Sequence, residues 1–271
     1  MQKTKMNNAR IYCLCLQDNL LEKVKKLNYL AVGLGQNEFS SEWIRDNTGE
    51  NISTKNPFYG EYSFHYWMWK NEIDNIPDNT WIGFCTYRRF WSNKKNENSK
   101  IIFEKVLNEI PNEWNEYDVI LGDRQNVEGI KWMKVLKYGK AAILKNPKAI
   151  FKKNRNLKFN FDLFHGVGIL DRAIALLDDE NKSDFKEYVN NNRSFNQVNM
   201  FISKSKTLIK NYYTTIFNWL NKCEKIFGFN LEGYSKIRIY AFLAERFMSY
   251  WFNKNAKTLE WPIIFYDLSK D

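Results

Sequence analysis

Residues 46–91 contain DNTGENISTKN (46–56), EYSFHYWMWKN (61–71) and, after the loop NIPDN, WIGFCTYRRFW (81–91). The three blocks read as a loop, a helix and a buried strand, and they pack polar groups more densely than a folding core needs. In the loop, Asp46, Asn47, Thr48, Gly49, Asn51, Ser53 and Asn56 offer short donors and acceptors on a turn-prone backbone. Lys55 adds a positive charge. From Tyr59 to Asn71, Tyr59, Tyr62, Tyr66 and Trp69 recur at spacings of three and four, with Phe58, Phe64 and Trp67 beside them. That pattern predicts a helix buried on more than one side. The apolar run Trp81 to Cys85 has strand length and delivers Tyr87, Arg88 and Arg89 at its carboxyl end, where open α/β sheets bind ligands. Two guanidinium forks there suit a phosphate or diphosphate. Ion pairs with some of the 31 acidic residues are the plainer alternative.

Working outward, Arg10 to Leu16 reads as a buried strand and Leu20 to Tyr29 as a helix, a βα opening. Leu30 to Gly35 predicts a second strand, whose GLG lacks the remaining glycine of a dinucleotide fingerprint. Ile101 to Ile110 reads as helix and Tyr117 to Leu121 as strand, leading into Gly122-Asp123-Arg124. His165 and Gly166 precede another helix, Val198 to Ser203 is a strand candidate containing Asn199, and Leu208 to Phe227 and Lys236 to Asn253 are long helices. No Pro/Gly/Ser-rich linker divides the 271 residues. The expectation is one α/β domain, 1–271, with sheet-forming residues 10–205 and a helical C-terminal portion, 206–255.

Hydrophobic residues make up 44% of the chain, and 20 Phe, 15 Tyr and 10 Trp supply bulk for a filled core. No apolar run reaches the roughly 18 residues that cross a bilayer, and Ile11 to Leu16 is too short for a signal peptide's apolar region. Cys13, Cys15, Cys85 and Cys223 lack metal-ligand spacing, so a reducing cytoplasm is expected. The net charge of +10 is local, because Lys131 to Lys158 holds ten basic residues and no acidic one. Lys131, Lys134 and Lys137 are spaced as one helical face. Such a stretch suits an anionic inner-membrane surface, a lipid-diphosphate acceptor or a nucleic acid, or it is a solvated face with no partner. No motif of a nucleic-acid reader is present.

Taken in order, NTGENISTKNPFYGEYSFHYWMWKN, WIGFCTYRRFW, YDVIL, NMFIS and FLAERFMSYW resemble a bacterial family of capsular and lipopolysaccharide glycosyltransferases once catalogued as a domain of unknown function. The resemblance covers roughly Leu30 to Pro262. It implies a GT-A-like, Rossmann-type α/β sandwich, a nucleotide-sugar donor such as a UDP-hexose (galactose or galactofuranose), and a glycan or lipid-linked acceptor in capsule or lipopolysaccharide synthesis. The family usually has a histidine before Tyr-Arg-Arg, where this chain has Thr86. GT-A enzymes also carry a Lys/Arg-Asn loop, a helix and a strand ending in a metal-binding Asp-x-Asp. Here Lys55-Asn56, the aromatic helix and the strand follow the same order, but the strand ends in Tyr87-Arg88-Arg89. Arginine charge in place of a divalent metal is therefore expected, so no metal ligand and no firm cofactor are assigned. The competing expectation keeps a metal on Asp118 or Asp123.

Glycosyl transfer needs the departing diphosphate stabilised and, for inversion, a base for the acceptor hydroxyl. Arg88, Arg89 and Lys55 are candidates for the first task, with Tyr87 beside them. Asp46, Asn47, Asn51, Ser53, Asn56 and Asn199 are candidates for holding the donor. Glu245 lies where the resemblance implies an acidic base, although an ion pair with a neighbouring arginine explains it as well. His165 is a second base candidate, set against a plain core histidine. A non-catalytic basic module that binds anionic polymer or membrane through residues 131–158 is the alternative function.

Overall fold

The computed structural model describes residues 8–129, 133 and 140–270. Its contacts divide the chain into two compact units. One holds residues up to 123 with 198–214 and 252–271, and the other holds 124–197 with 215–251.

The first unit is built on a twisted mixed sheet. Strands β1 (Ala9–Cys15), β2 (Leu30–Gly33), β3 (Ile44–Arg45) and β4 (Trp81–Thr86) form its parallel half. β5 (Arg89–Trp91), β6 (Val119–Gly122), β9 (Phe201–Ser203), β10 (Thr258–Trp261) and β11 (Ile263–Phe265) complete it, in the order β10-β6-β9-β4-β1-β2-β3 with β5 bridging β4 and β11. β1 from Ile11 onward and β4 up to Cys85 are apolar because both strands lie inside the sheet, with residues buried on both faces. Gly83 is required where β4 meets its neighbours, since a Cβ there would lie 2.6 Å from Ile11 and 2.7 Å from Ile202. The aromatic segment forms a helix over Tyr62–Trp67 that continues as a π-turn over Met68–Glu72. It buries Phe64 and His65 against Phe84, and the His65 ring also stacks on Phe201. The Tyr62 hydroxyl bonds that of Tyr212, and His65 Nδ1 lies 2.8 Å from the Tyr213 hydroxyl.

The second unit is mainly helical, with helices Leu157–His165, Ile169–Ala175 and Asp179–Asn191 and a two-stranded ribbon of β7 (Arg124–Asn126) and β8 (Ser194–Asn196). Two long helices, Lys206–Phe227 and Ile239–Asn255, complete the helical portion of the chain.

Two expectations change. Helix survives only over Ile102–Lys105, because the Leu107 amide donates to the Trp91 carbonyl and the Asn93 amide to Lys105, drawing Val106 and Leu107 out as a strand-like wall. The sheet also extends beyond residue 205, since β10 and β11 join it after the last long helix.

Candidate functional site

The chain leaves β1 for β2 on one side and later returns to place β4 on the other. The topological switch point therefore lies between the carboxyl ends of β1 and β4, where an open α/β sheet opens a crevice. Leu16 and Gln17 leave β1 there, and Tyr87 and Arg88 leave β4. The Tyr87 amide donates to the Leu14 carbonyl at 3.2 Å, which carries the ladder one residue past the strand.

Arg88 is about half exposed, at 49%, and its Nε lies 3.0 Å from Asp267 Oδ2. Its guanidinium lies over the Tyr87 ring, and that of Arg89 lies 4.1 Å from the centre of the Phe265 ring. The Tyr266 amide donates to the Arg88 carbonyl and the Leu268 amide to that of Tyr87, so the segment after β11 is sewn to the arginine turn. The hydroxyl and amide of Ser269, then the Arg88 charge, hold the Asp267 carboxyl below the usual carboxylate range. Arg88 is thus oriented by a carboxylate that the sequence reading missed. No local signal links positions so far apart in the chain.

The polar loop closes a second network at the same sheet edge. Gly35 follows β2 with a φ of +70°, and its amide donates to Asp46 Oδ1 at 2.8 Å. Asp46 Oδ2 accepts from the Ser63 hydroxyl at 2.5 Å, and Asn56 Nδ2 donates to that hydroxyl and to the Gly60 carbonyl. Asp46 is fully buried, and desolvation pushes its pKa up against these bonds. The carboxylate therefore tethers the Gly35 turn to the aromatic helix and does not face solvent, which corrects its expected part as a donor contact. Ser53 and Asn51 are likewise bonded to each other, and Gln36 Nε2 donates to the Ser53 hydroxyl. Asn47 is exposed, and Lys55 is half-buried next to Asn56. Asn199 is half-buried just before β9, beside Val198, whose φ is +54°.

The base candidates lie in the second unit. His165 is only 5% exposed, lies against Phe161 and Phe242, and its Nδ1 is 2.9 Å from the Ser235 carbonyl. A carbonyl only accepts, so Nδ1 carries the proton. Burial, then the Arg246 charge, lowers the His165 pKa to about 3. An imidazole that weakly basic and that enclosed is a core residue, which corrects the general-base expectation. Glu245 is ion-paired with Arg246, whose Nη2 also donates to Asn160 Oδ1 and whose guanidinium packs on Phe195. Glu245 stays partly accessible, at 15% of its side chain.

Among the described residues, no three His, Cys, Asp or Glu side chains converge as ligands. β4 and β6 run the same way because both are antiparallel to β9. Asp118, which precedes β6, therefore falls at the end of the sheet opposite the arginine turn, where its carboxylate accepts the Lys257 amide. Asp123 follows β6, at the same end of the sheet as the arginine turn.

A cleft of about 480 Å³ opens beyond β5, floored by Leu107, Ile110, Pro111 and Trp261 and rimmed by Asn93, Asn112 and the ion pairs Lys94–Glu113 and Lys95–Glu109. β5 begins at Arg89 and ends at Trp91, two residues before Asn93 on the cleft rim. Lys131, Lys134 and Lys137 lie outside the described residues.

The family described as Domain of unknown function (DUF4422) matches residues 10–256. The apo structure of WbbM, a bifunctional glycosyltransferase, is similar over 96% of this chain and 45% of its own, with a TM-score of 0.68 and 21% identity. This chain thus spans less than half of that structure's length, and the likeness is one of fold, in agreement with a GT-A-like architecture. No curated protein matches the sequence.

Proposed function

The chain belongs to the family described as Domain of unknown function (DUF4422), and from that premise we propose that it is a glycosyltransferase that moves a sugar from a nucleotide-sugar donor to a growing glycan. The observation that carries the reading is the Arg88-Arg89 pair at the switch point of a GT-A-like sheet, one of them braced by Asp267. The donor's diphosphate lies against Arg88 and Arg89, with Lys55 as a further cation. Guanidinium charge at that point stabilises the negative charge that develops as the diphosphate leaves. Donor hydroxyls meet the exposed part of the loop, Asn47 foremost, while Asp46, Asn51, Ser53 and Asn56 hold its shape. Asn199 completes the donor side.

The acceptor enters along β5 into the cleft beyond it, whose apolar floor and paired charges suit the mixed faces of a sugar ring. The finer reading is a UDP-hexose donor, galactose or galactofuranose, and a capsule or lipopolysaccharide acceptor on the cytoplasmic side of the membrane. Among the described residues, no helix is long and apolar enough to cross a membrane.

The test is thermal stabilisation by UDP-, GDP-, CMP- and dTDP-sugars, each with and without EDTA, on the wild type and on Arg88→Ala and Arg89→Ala. One nucleotide class should stabilise the protein, with and without chelator. Each alanine should weaken that response about tenfold to a hundredfold, the worth of a charge-assisted hydrogen bond. Stabilisation that vanishes in EDTA would overturn the arginine-for-metal reading. A response untouched by both alanines would overturn the site.

A further inference from the structure

Residues 140–155 expose an unusual combination of side chains on a backbone that is itself pinned. Ala142 and Ala149 are buried in a small cluster with Phe159 and Leu163. Arg155 is buried too, its Nε donating to the Ala149 carbonyl and its Nη1 to that of Glu128. The segment thus has an inner face fixed to its unit. Leu144 is 82% exposed and Phe151 63% exposed on the same segment, and Met133 nearby in sequence is 80% exposed. Apolar side chains so open to water cost free energy unless something covers them.

The charges around them are equally one-sided. Lys140, Lys148, Lys152 and Lys153 are exposed and have no acidic partner among the described residues. The nearby acids are already engaged, Asp171 with Lys145 and Lys158, Asp162 with Lys158, and Glu128 with Arg193. A solvated lysine face accounts for the cations but gives no reason for Leu144 and Phe151 to stand among them. Binding to an anionic polymer would likewise use the cations alone.

We propose that this face docks on an anionic lipid bilayer, with Leu144 and Phe151 inserted among the acyl chains and Lys148, Lys152 and Lys153 at the headgroup phosphates. Unpaired cations draw the face to a negative surface, and apolar side chains beside them gain by leaving water at the headgroup boundary. The inference rests on surface chemistry and stands apart from the transferase reading, because binding is measured without donor or acceptor.

The experiment is co-sedimentation of the full chain with phosphatidylcholine vesicles, with and without phosphatidylglycerol, and binding to soluble polyphosphate in parallel. Binding should require phosphatidylglycerol and weaken with salt. Leu144→Ser with Phe151→Ser should reduce vesicle partitioning at least tenfold, since a single buried apolar side chain is worth about that much. The same pair should leave polyphosphate binding unchanged. Lys148→Ala, Lys152→Ala and Lys153→Ala together should reduce partitioning about a hundredfold, at roughly fivefold per lysine. All these side chains are exposed, so unchanged circular dichroism and melting would show that each variant folds. No binding to anionic vesicles would overturn the proposal. So would vesicle binding that survives both serines, which would leave a purely electrostatic face suited to polymers.

Discussion

Acid should destabilise this protein before its carboxylates titrate, and the two histidines set the size of the effect. His65 is enclosed by Phe84, Phe201 and Tyr213 in the first unit, and His165 by Phe161 and Phe242 in the second. Burial lowers both pKa values to about 3, whereas an imidazole in the unfolded chain titrates near about 6.5. The folded pKa is depressed, so the stability linked to each neutral ring is fully present above the unfolded value. It is lost as pH falls from there toward the folded one. Each pH unit in that window costs about 1.4 kcal/mol per histidine, so roughly 2 kcal/mol per histidine is gone by about pH 5. That is a large share of a typical net stability of about 5–15 kcal/mol. Urea unfolding followed by circular dichroism from about pH 7 down to about pH 5 measures it directly. His165→Phe keeps a ring between Phe161 and Phe242 and removes the ionisable group, at the cost of the bond to the Ser235 carbonyl. Its unfolding should be less acid-sensitive by one proton's slope, and donor-dependent transfer should persist. Stability that stays flat over this range would refute the reasoning. So would a folded His165→Phe protein whose transfer falls by about the 10²–10⁴-fold expected on losing a general base.

Two further substitutions test how the sheet holds the site. Gly83→Ala should cost about 1–3 kcal/mol in urea unfolding, because its Cβ would press on Ile11 and Ile202 in a filled core; a neutral result would mean that the β4 packing is looser than described. Asp46→Ala leaves the Gly35 amide and the Ser63 hydroxyl without their shared acceptor, a loss of about 1–3 kcal/mol per buried group. It should lower donor affinity through the displaced turn, and unchanged stability with unchanged affinity would remove the tether from the account.

The sequence alone determined the elements whose signal is local. The apolar runs at Ile11 and Trp81, the helix of spaced aromatics at Tyr62 and the two long late helices all appear where periodicity and length place them. The strand delivering Arg88 and Arg89 to a carboxyl edge was legible too, because an arginine pair after a buried strand is a pattern within one short window. Tertiary structure decided what depends on distant partners. β9 enters antiparallel between β4 and β6, and β10 and β11, too short to show periodicity, join from the end of the described chain. That pairing sends Asp118 to the end of the sheet opposite the arginine turn and brings Asp267 to Arg88. Asp46 and His165 read as site residues because a polar side chain looks the same in sequence whether it meets a ligand or the core. Only burial and the identity of the bonded neighbour separate the two roles, and both are set by contacts between segments far apart in the chain.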